Sequence, residues 1–346
     1  MRRLLWWLHL VLAAITLLAY ASPVVSPEIF WPAAFASLAF PSLVVMHLLL
    51  GAYWVYQRDR RFLLSVAVLA LGYGALRSYI GIAEERPAQA HTLTVASYNL
   101  LGGRFVYRPD AEITAERIDE LLGCLDADVV AFQEFTRYGE LQNRLDAAFA
   151  KTGLKHHYRP PETFVALYSR YPILEQELLA AYNNANGAVR CQLALPNDTL
   201  DVIVAHMQSN QVSIDASELV ADAAQANKQA YWTLRTVASN YRRAARQRVS
   251  DAKELAQVVG SSQRPLILLG DLNDTPLSYT LGTLKRAGLK DAFRQNGSGL
   301  GFTYAGSIPG LRIDYTLHTA ELETLSSTVV DCGFSDHKAV RSVLSW

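Results

Sequence analysis

The sequence predicts an α/β protein, a two-sheet α/β sandwich preceded by three transmembrane helices. Charged residues make up 18% of the 346 residues, yet they are scarce between Leu4 and Ile82. From His91 onward, short apolar runs alternate with helical patterns, which is typical of sheets covered by helices. We therefore expect a membrane anchor over 1–82, a linker over 83–91 and a water-soluble domain over 92–346.

Three apolar stretches make up the expected anchor, from Leu4 to Val25, Phe30 to Tyr56 and Phe62 to Ile82. Each can cover a hydrocarbon core of about 30 Å at about 1.5 Å per residue. The run Ala19-Tyr-Ala21 also resembles a signal-peptide cleavage site, and cleavage there would leave two spans. A buried helical hairpin of a soluble protein is the remaining alternative, and it fits such long apolar runs poorly.

The charges flanking these stretches predict their orientation. Arg2 and Arg3 precede the first stretch, and the run Arg58-Asp-Arg-Arg61 separates the second from the third. The other turn, residues 26–30, contains only Glu28. Because basic residues favour the cytoplasmic side, we expect a cytoplasmic N-terminus, three spans and an extracytoplasmic domain after Ile82.

Composition narrows the classes of partner. The 32 basic and 32 acidic residues cancel, whereas a protein that grips duplex DNA through its phosphates usually has a basic excess. The three cysteines (Cys124, Cys191 and Cys332) contain no CxxC pair and fit neither a zinc site nor a disulfide framework. We expect all three to be small apolar packing residues.

Strands and helices of the soluble domain are predicted from apolar runs and their punctuation. The expected strands are Leu93–Tyr98, Val129–Gln133, Phe164–Tyr168, Gln192–Leu195, Asp201–Ala205, Leu266–Leu269, Ile313–Leu317 and Ala339–Leu344. The expected helices are Thr114–Leu125, Gly139–Thr152, Ala216–Val259 and Ser278–Ala287. The third of these, which follows His206, predicts either a cap beside a site or an outer helix packed on the sandwich.

Polar side chains appear abruptly where several of these strands end. Asn99, Glu134, His206, Asp271 and Asn273 each follow an apolar strand. A rigid strand end fixes such a group while the adjoining loop stays open, so catalytic groups are commonly held there. Asp271 and Asn273 are two apart and point to the same side of an extended segment. A plain Asx-turn after the strand would also explain this pair.

Seven short motifs carry a family resemblance, and they occur in the order Ser97-Tyr-Asn-Leu100, Phe132-Gln-Glu-Phe135, Tyr168-Ser-Arg-Tyr-Pro-Ile173, Ala205-His206, Gly270-Asp-Leu-Asn-Asp274, Arg312-Ile-Asp-Tyr315 and Ser335-Asp-His337. Over 92–346 the sequence resembles the endonuclease/exonuclease/phosphatase family, which includes deoxyribonucleases, abasic-site endonucleases, neutral sphingomyelinases and inositol-polyphosphate 5-phosphatases. The resemblance implies the α/β sandwich and metal-dependent hydrolysis of phosphoester bonds.

The metal site follows from residue chemistry and from this resemblance. Phosphoester hydrolysis must bring water to an anionic phosphorus centre, and Mg²⁺ with oxygen ligands assists that step. We expect Glu134 to be the principal ligand, with Asn99 supplying an amide oxygen and Asp336 a second carboxylate. Mn²⁺ is the alternative ion.

The resemblance also assigns catalytic roles. It implies that Asp271 orients or deprotonates the attacking water and that Asn273 donates to the phosphate. It also implies that His337 contacts the phosphate and is oriented by Asp314, since a carboxylate fixes the tautomer of an imidazole. His206 is expected as a general acid or phosphate contact. Arg190 is expected to bind substrate, with a solvated surface arginine as the alternative.

The expected function is therefore a membrane-anchored, Mg²⁺-dependent hydrolase of phosphodiester, nuclease or phosphatase type. Leu101 stands where abasic-site endonucleases usually carry an acidic residue, which weakens a DNA-repair assignment. The alternatives are an extracytoplasmic lipid phosphodiesterase of sphingomyelinase type and a catalytically silent binding protein of the same fold. The expected partners are a phosphoester substrate (nucleic acid, nucleotide or lipid headgroup) and the lipid bilayer, and no obligate protein partner is evident.

Overall fold

A computed structural model describes residues 2–87, 89–102, 115–135, 139–182, 186–196, 198–209, 229–306 and 310–346. Its helices are α1 (Arg2–Ala21), α2 (Pro27–Leu38), α3 (Phe40–Tyr56), α4 (Phe62–Leu71), α5 (Tyr73–Leu76), α6 (Ala115–Leu125), α7 (Gly139–Lys151), α8 (Gln229–Ser261), α9 (Tyr279–Arg286) and α10 (Ala292–Asn296). The start of the helix predicted from Ala216 lies outside the described residues.

The strands are β1 (Ile80–Gly81), β2 (Thr92–Asn99), β3 (Val129–Gln133), β4 (His156–Tyr158), β5 (Ala166–Ser169), β6 (Ile173–Ala181), β7 (Gly187–Leu195), β8 (Asp198–His206), β9 (Leu266–Asp271), β10 (Lys290–Asp291), β11 (Gly299–Leu300), β12 (Asp314–His318), β13 (Glu323–Val330) and β14 (Ala339–Ser345). One six-stranded sheet has the order β10-β12-β9-β8-β7-β6, and the other has the order β13-β14-β2-β3-β5-β4. The predicted two-sheet α/β fold is confirmed.

The apolar core lies between the sheets and on both outer faces. Val95, Ala131, Val189, Val204 and Leu269 belong to one buried cluster between the sheets. A second cluster joins β2, β3 and β5 to α6 and α7, and a third joins β7, β8, β9 and β12 to α8 and α9. Runs such as Leu266–Leu269 are apolar at every position because both faces of these strands are buried.

The N-terminal helices only partly match the predicted spans. Helix α1 is long and apolar enough to cross a bilayer, with a mean hydropathy of 2.0, and α2 with α3 passes the same test as a pair bent by 55°. The third predicted stretch is not one helix: α4 has 10 residues, and its continuation ends in β1, which pairs with β11. Gly72 interrupts it, and a side chain there would collide with the Tyr20 ring. Three spans are therefore not shown.

A buried hydrogen-bond chain links α1, α3 and α4. Trp54 Nε1 donates to His9 Nδ1 over 3.0 Å, so a neutral His9 carries its proton on Nε2, which lies 2.8 Å from Ser65 Oγ. Ser65 Oγ also lies 3.3 Å from His47 Nδ1, and His47 Nε2 lies 3.2 Å from Thr16 Oγ1. Both histidines are fully buried. Such bonds hold apolar helices in register.

One end of the helical segment contacts the soluble domain. Tyr241 Oη donates to Ala34 O over 2.8 Å, and Arg286 Nη1 donates to Pro23 O over 2.8 Å. At the other end of α1, the guanidinium of Arg2 pairs with Asp59. The basic turn and the soluble domain therefore lie at opposite ends of the helices.

The expectation that all three cysteines are packing residues is wrong for two of them. Cys124 at the end of α6 and Cys332 after β13 form a disulfide with a Cα–Cα distance of 5.8 Å. Their separation of 208 residues gives no spacing signal, since the sheet alone brings them together. Cys191 is buried and unbonded, as expected.

Candidate active site

Strand register aligns the candidate residues along one edge of the sandwich. In the parallel pair β8–β9, His206 is opposite Asp271, and in the antiparallel pair β12–β9, Asp314 is opposite the same residue. In the other sheet, β2 and β3 are parallel and end together at Asn99 and Gln133. Glu134, the next residue, therefore emerges beside Asn99. The β8–β9 pairing needs Gly270, since a side chain there would collide with the Ala205 carbonyl.

Asp271 is the shared partner of this edge. It is only 1% exposed, and its Oδ2 accepts a hydrogen bond of 2.9 Å from Asn99 Nδ2. Its Oδ1 accepts from the backbone N–H of Asn273 over 2.9 Å. The Nε2 atoms of His206 and His337 each lie 3.8 Å from Asp271 Oδ2. The carboxylate thus faces two imidazoles and an amide.

Asn99 and Asn273 use their amides within the protein. Asn99 Nδ2 lies 3.3 Å from Glu134 Oε1, and Asn99 Oδ1 accepts from Leu101 N over 2.9 Å. Asn273 Nδ2 donates to Met207 O over 3.0 Å. The Asn99 amide nitrogen therefore joins the carboxylates of Glu134 and Asp271. Its amide oxygen, the atom expected to bind metal, faces the backbone N–H of Leu101.

His206 is buried at the centre of the group without a bonded partner. Its ring is 3% exposed, and Nε2 lies 3.9 Å from Glu134 Oε1. Neither ring nitrogen has a hydrogen bond among the described residues. Buried polar atoms are nearly always satisfied, and an exception needs an explanation such as a missing ligand. A phosphate oxygen or a metal-bound water would supply the hydrogen bond that the His206 ring lacks.

His337 and Asp314 form a tight pair. The Nδ1 atom of His337 lies 3.0 Å from Asp314 Oδ2, and the backbone N–H of Asp314 donates to Thr303 Oγ1 over 3.1 Å. Burial alone would lower the pKa of His337, but the carboxylates of Asp314, Asp271 and Asp336 outweigh it and raise that pKa to about 10. The ring is therefore cationic at neutral pH.

Strained backbone marks two of these positions. Glu134 has φ 49° and Asn273 has φ 51°, in the left-handed region that non-glycine residues rarely occupy. Leu101, next to the Asn99 side chain, has φ 51°. Such strain persists only where the surrounding structure enforces it, and it concentrates at functional sites.

The other two predicted residues make different contacts. The Asp336 carboxylate is partly exposed and accepts from Ser335 Oγ over 3.4 Å. Arg190 is on β7, opposite Ile203 of β8 and three residues from Gly187, which is opposite His206. Its guanidinium pairs with Glu177 over 2.9 Å. Asn99, Glu134, His206, Asp271, Asn273, Asp314 and His337 are brought together, and Arg190 is not.

Sequence reasoning missed Arg248, a fully buried arginine on α8. Its Nε donates to Asp274 Oδ2 over 3.2 Å, and its Nη1 donates to Gln208 O over 2.9 Å. It therefore ties the loop after Asp271 to the loop after His206. No sequence signal separates it from the other arginines of its basic helix.

The residues fit a divalent cation. Asp271, Asp314 and His337 have ligand atoms within 4.8 Å of one another, but a cationic imidazole has no free lone pair for a metal. Glu134 and Asp271 are the carboxylates that flank the unsatisfied His206, and hard oxygen atoms are what Mg²⁺ prefers. Glu134, whose side chain is 32% exposed, is the more accessible of the two.

Several solved structures are similar to this chain over about three quarters of its length. Danio rerio TDP2 complexed with a single-strand DNA product is 17% identical, with a TM-score of 0.50, covering 74% of this chain and 99% of the other. A humanized D. rerio TDP2 with 14 mutations is 16% identical, with a TM-score of 0.51 and the same coverage. Sphingomyelinase C from Streptomyces griseocarneus is 17% identical, with a TM-score of 0.47, covering 73% and 99%.

Sequence comparison divides the chain into two matched parts. Residues 2–79 match a domain of unknown function (DUF8431). No curated protein matches the chain. Residues 96–337 match the Endonuclease/Exonuclease/phosphatase family, whose members are usually phosphoester hydrolases. Because this match covers more than half of the 346 residues, the chain belongs to the endonuclease/exonuclease/phosphatase family.

Proposed function

We propose that this chain is a membrane-anchored, Mg²⁺-dependent phosphoester hydrolase whose catalytic domain, residues 92–346, lies outside the cytoplasm. The observation that carries the proposal is the edge where the buried, unsatisfied His206 lies within 4 Å of both Glu134 and Asp271. A charged group at that position would complete the hydrogen bonding of the imidazole. The silent-binding alternative is disfavoured because every catalytic position of the family pattern is filled.

Glu134, Asn99 and Asp336 would hold the metal. Bound Mg²⁺, or Mn²⁺ with the same oxygen ligands, supplies charge stabilisation at the phosphoryl oxygens. The Asn99 side-chain oxygen accepts one hydrogen bond, from Leu101 N, and keeps a second lone pair, whereas Glu134 is already partly open to solvent.

The remaining residues bind the phosphoester and move protons. Asp271, fixed by Asn99 and by the Asn273 backbone N–H, accepts a proton from the attacking water and orients it. His337, kept cationic by Asp314, donates to a phosphoryl oxygen. His206 is a second donor to the phosphoester or its leaving oxygen. Asn273 supports the site by fixing Met207 O.

Helix α1 and the bent pair α2–α3 are proposed to cross the bilayer, with α4 and α5 completing a third crossing. The charges at one end of these helices support this orientation. Arg2, Asp59 and Arg61 cluster at the end that is distant from the soluble domain, and basic residues favour the cytoplasmic side. The disulfide between Cys124 and Cys332 gives independent support, because disulfides persist in oxidising compartments.

The position of the anchor favours a lipid phosphodiester over nucleic acid as substrate. Thr275, four residues after Asp271, has its Oγ1 within 3.4 Å of both Ser37 oxygens, and Arg312, two residues before Asp314, donates to Ser78 O over 3.0 Å. The catalytic edge is therefore the edge that contacts the anchor. A substrate phosphate held in the bilayer surface would lie close to that edge, and the neutral net charge offers little general attraction for DNA.

Substitution of the central residues tests the catalytic assignment. We expect Asp271→Asn, His337→Ala and Glu134→Gln each to lower kcat by about 100-fold or more, because each removes a proton acceptor, a phosphate donor or a metal ligand. The assay is Mg²⁺-dependent hydrolysis of bis(p-nitrophenyl) phosphate by the full chain, with and without EDTA. Asp198→Asn and His91→Ala are controls on exposed residues. Wild-type activity in Asp271→Asn would refute the assignment.

Single introduced cysteines test the orientation. Arg60→Cys marks the basic turn and Glu85→Cys the segment before β2, and both positions are exposed. The native cysteines give little background because two are bonded and one is buried. We expect a membrane-impermeant maleimide to label Glu85→Cys in intact cells and Arg60→Cys only after permeabilisation. The opposite pattern would place the domain in the cytoplasm.

Arg248 is proposed as a positioning residue, and Arg248→Met tests it. The substitution leaves Asp274 buried without its cation, a change that typically costs about 3–5 kcal/mol, and frees Gln208 O. We expect a lower melting temperature and a kcat reduced by about 10-fold or more. Arg243→Met, on the exposed side of the same helix, is the matched control.

The double variant Arg248→Met/Asp274→Asn separates stability from positioning. Because it removes both charges, we expect it to regain much of the lost melting temperature, while kcat stays low since the two loops remain untied. Recovery of wild-type kcat in the double variant would mean that Arg248 only neutralises Asp274.

A further inference from the structure

A cavity of about 490 Å³ lies where the last anchor helices meet the soluble domain, and none of its lining residues is a candidate active-site residue. Tyr73 and Arg77 line it from the anchor, and Lys285, Lys290 and Arg294 line it from the domain. Neither the family resemblance nor the catalytic proposal uses these residues. The cavity therefore has a composition that needs its own explanation.

The lining is strongly cationic, and a charge of opposite sign that acts on Lys290 from outside the cavity is the exposed Glu321, whose pKa Lys290 lowers. Four lining side chains are basic, and only Asp291 is acidic. Among the described residues, Arg77, Lys290 and Arg294 form no ion pair, and the Arg77 guanidinium reaches only Ile80 O at 3.4 Å. Unpaired cations that converge on one concavity raise the local concentration of anions.

The Asp291 carboxylate does not neutralise the four cations of the cavity, because it already forms an ion pair with Arg312. The guanidinium of Arg312 donates to Asp291 through two bonds, of 2.8 and 2.6 Å. Lys285 Nζ stays 3.8 Å from the same carboxylate. Burial lowers the pKa of Lys285, and the Asp291 carboxylate raises it. The nearby cations Arg312 and Arg294 lower that pKa further. An anion in the cavity would relieve this repulsion.

The position of the cavity indicates which anion it takes. Tyr73 opens α5 just after α4, and Arg77 follows α5. Several apolar side chains of α4 are exposed: Leu63 is 52%, Val66 is 54% and Leu71 is 70% exposed. If α4 lies in the bilayer as proposed above, the cavity opens at the level of the lipid headgroups, where tyrosine and arginine commonly lie. Basic pockets beside membrane helices bind anionic headgroups.

We propose that this cavity, lined by Arg77, Lys285, Lys290 and Arg294, binds the phosphate headgroup of an anionic phospholipid whose acyl chains lie against α4. The inference rests on the proposed anchoring but not on catalysis. The phosphate would meet four cations at the junction of anchor and domain. The bound lipid would therefore hold the two parts together, since Tyr73 and Arg77 belong to one and Lys285, Lys290 and Arg294 to the other.

Binding of short-chain lipids to the full-length chain tests the proposal. The delipidated protein in a neutral detergent, without Mg²⁺ or substrate, is titrated with dioctanoyl phosphatidylglycerol while its melting temperature is followed. Dioctanoyl phosphatidylcholine and inorganic phosphate are titrated in parallel. We expect phosphatidylglycerol to raise the melting temperature by several degrees at low ionic strength, and the other two ligands to have little effect.

The variant Lys290→Gln/Arg294→Gln removes two exposed cations of the cavity without touching the Arg312–Asp291 pair. We expect its midpoint for phosphatidylglycerol to rise about five-fold or more. Lys151→Gln/Lys155→Gln makes the same charge change at exposed positions outside the cavity and should bind as the wild type does.

Three results would overturn the proposal. Equal responses to phosphatidylglycerol and phosphatidylcholine would show that the headgroup charge is not recognised. An equal response to inorganic phosphate would show a phosphate site without lipid. Unchanged binding in Lys290→Gln/Arg294→Gln would locate the lipid elsewhere. A chain that stays soluble without detergent would instead refute the membrane anchoring. A chain that lacks hydrolase activity can still be tested in this way, because the titration needs neither Mg²⁺ nor substrate.

Discussion

The buried carboxylate of Asp271 is the group on which the proposed catalytic edge depends. A charge that is 1% exposed must be offset by donors or cations, because its desolvation would otherwise be prohibitive. Strand pairing supplies them: the parallel β8–β9 register sets His206 opposite Asp271, and the antiparallel β12 sets Asp314 opposite the same residue. Asn99 reaches across from the other sheet, so the site exists only when both sheets are packed together.

The N-terminal helices extend this dependence beyond the sandwich. Arg248 joins the loops after His206 and Asp271. Tyr241, two turns earlier on the same face of the helix, has its ring 5.9 Å from the Arg248 guanidinium and donates to Ala34 of α2. Arg312 links the start of β12 to Ser78 in the same way. These contacts are short, largely buried and distributed over two loops. The helical segment therefore forms part of the support of the catalytic edge.

Local patterns predicted the elements that are buried on both faces and failed for the exposed ones. Val129–Gln133 was predicted without error and Leu266–Leu269 within two residues, because apolar runs report burial. Strands β6 and β13 were missed, since Ile173–Ala181 is rich in Glu, Leu and Ala and Glu323–Val330 in Ser and Thr. The site residues were named from motif order, but Arg248 and the disulfide depend on contacts between distant segments that no local pattern encodes. The length of the third apolar stretch likewise gave no sign of the break at Gly72.

The proposed function depends on a divalent cation that binds to Glu134 at the edge around Asp271. Anomalous scattering from crystals of the full chain soaked in Mn²⁺ tests this most directly, because it locates the ion independently of turnover. We expect a peak at the Glu134 carboxylate, beside Asp271 and His206, that is lost in Glu134→Gln. A well-ordered catalytic edge without a peak at saturating Mn²⁺, or a peak that persists in Glu134→Gln, would contradict it.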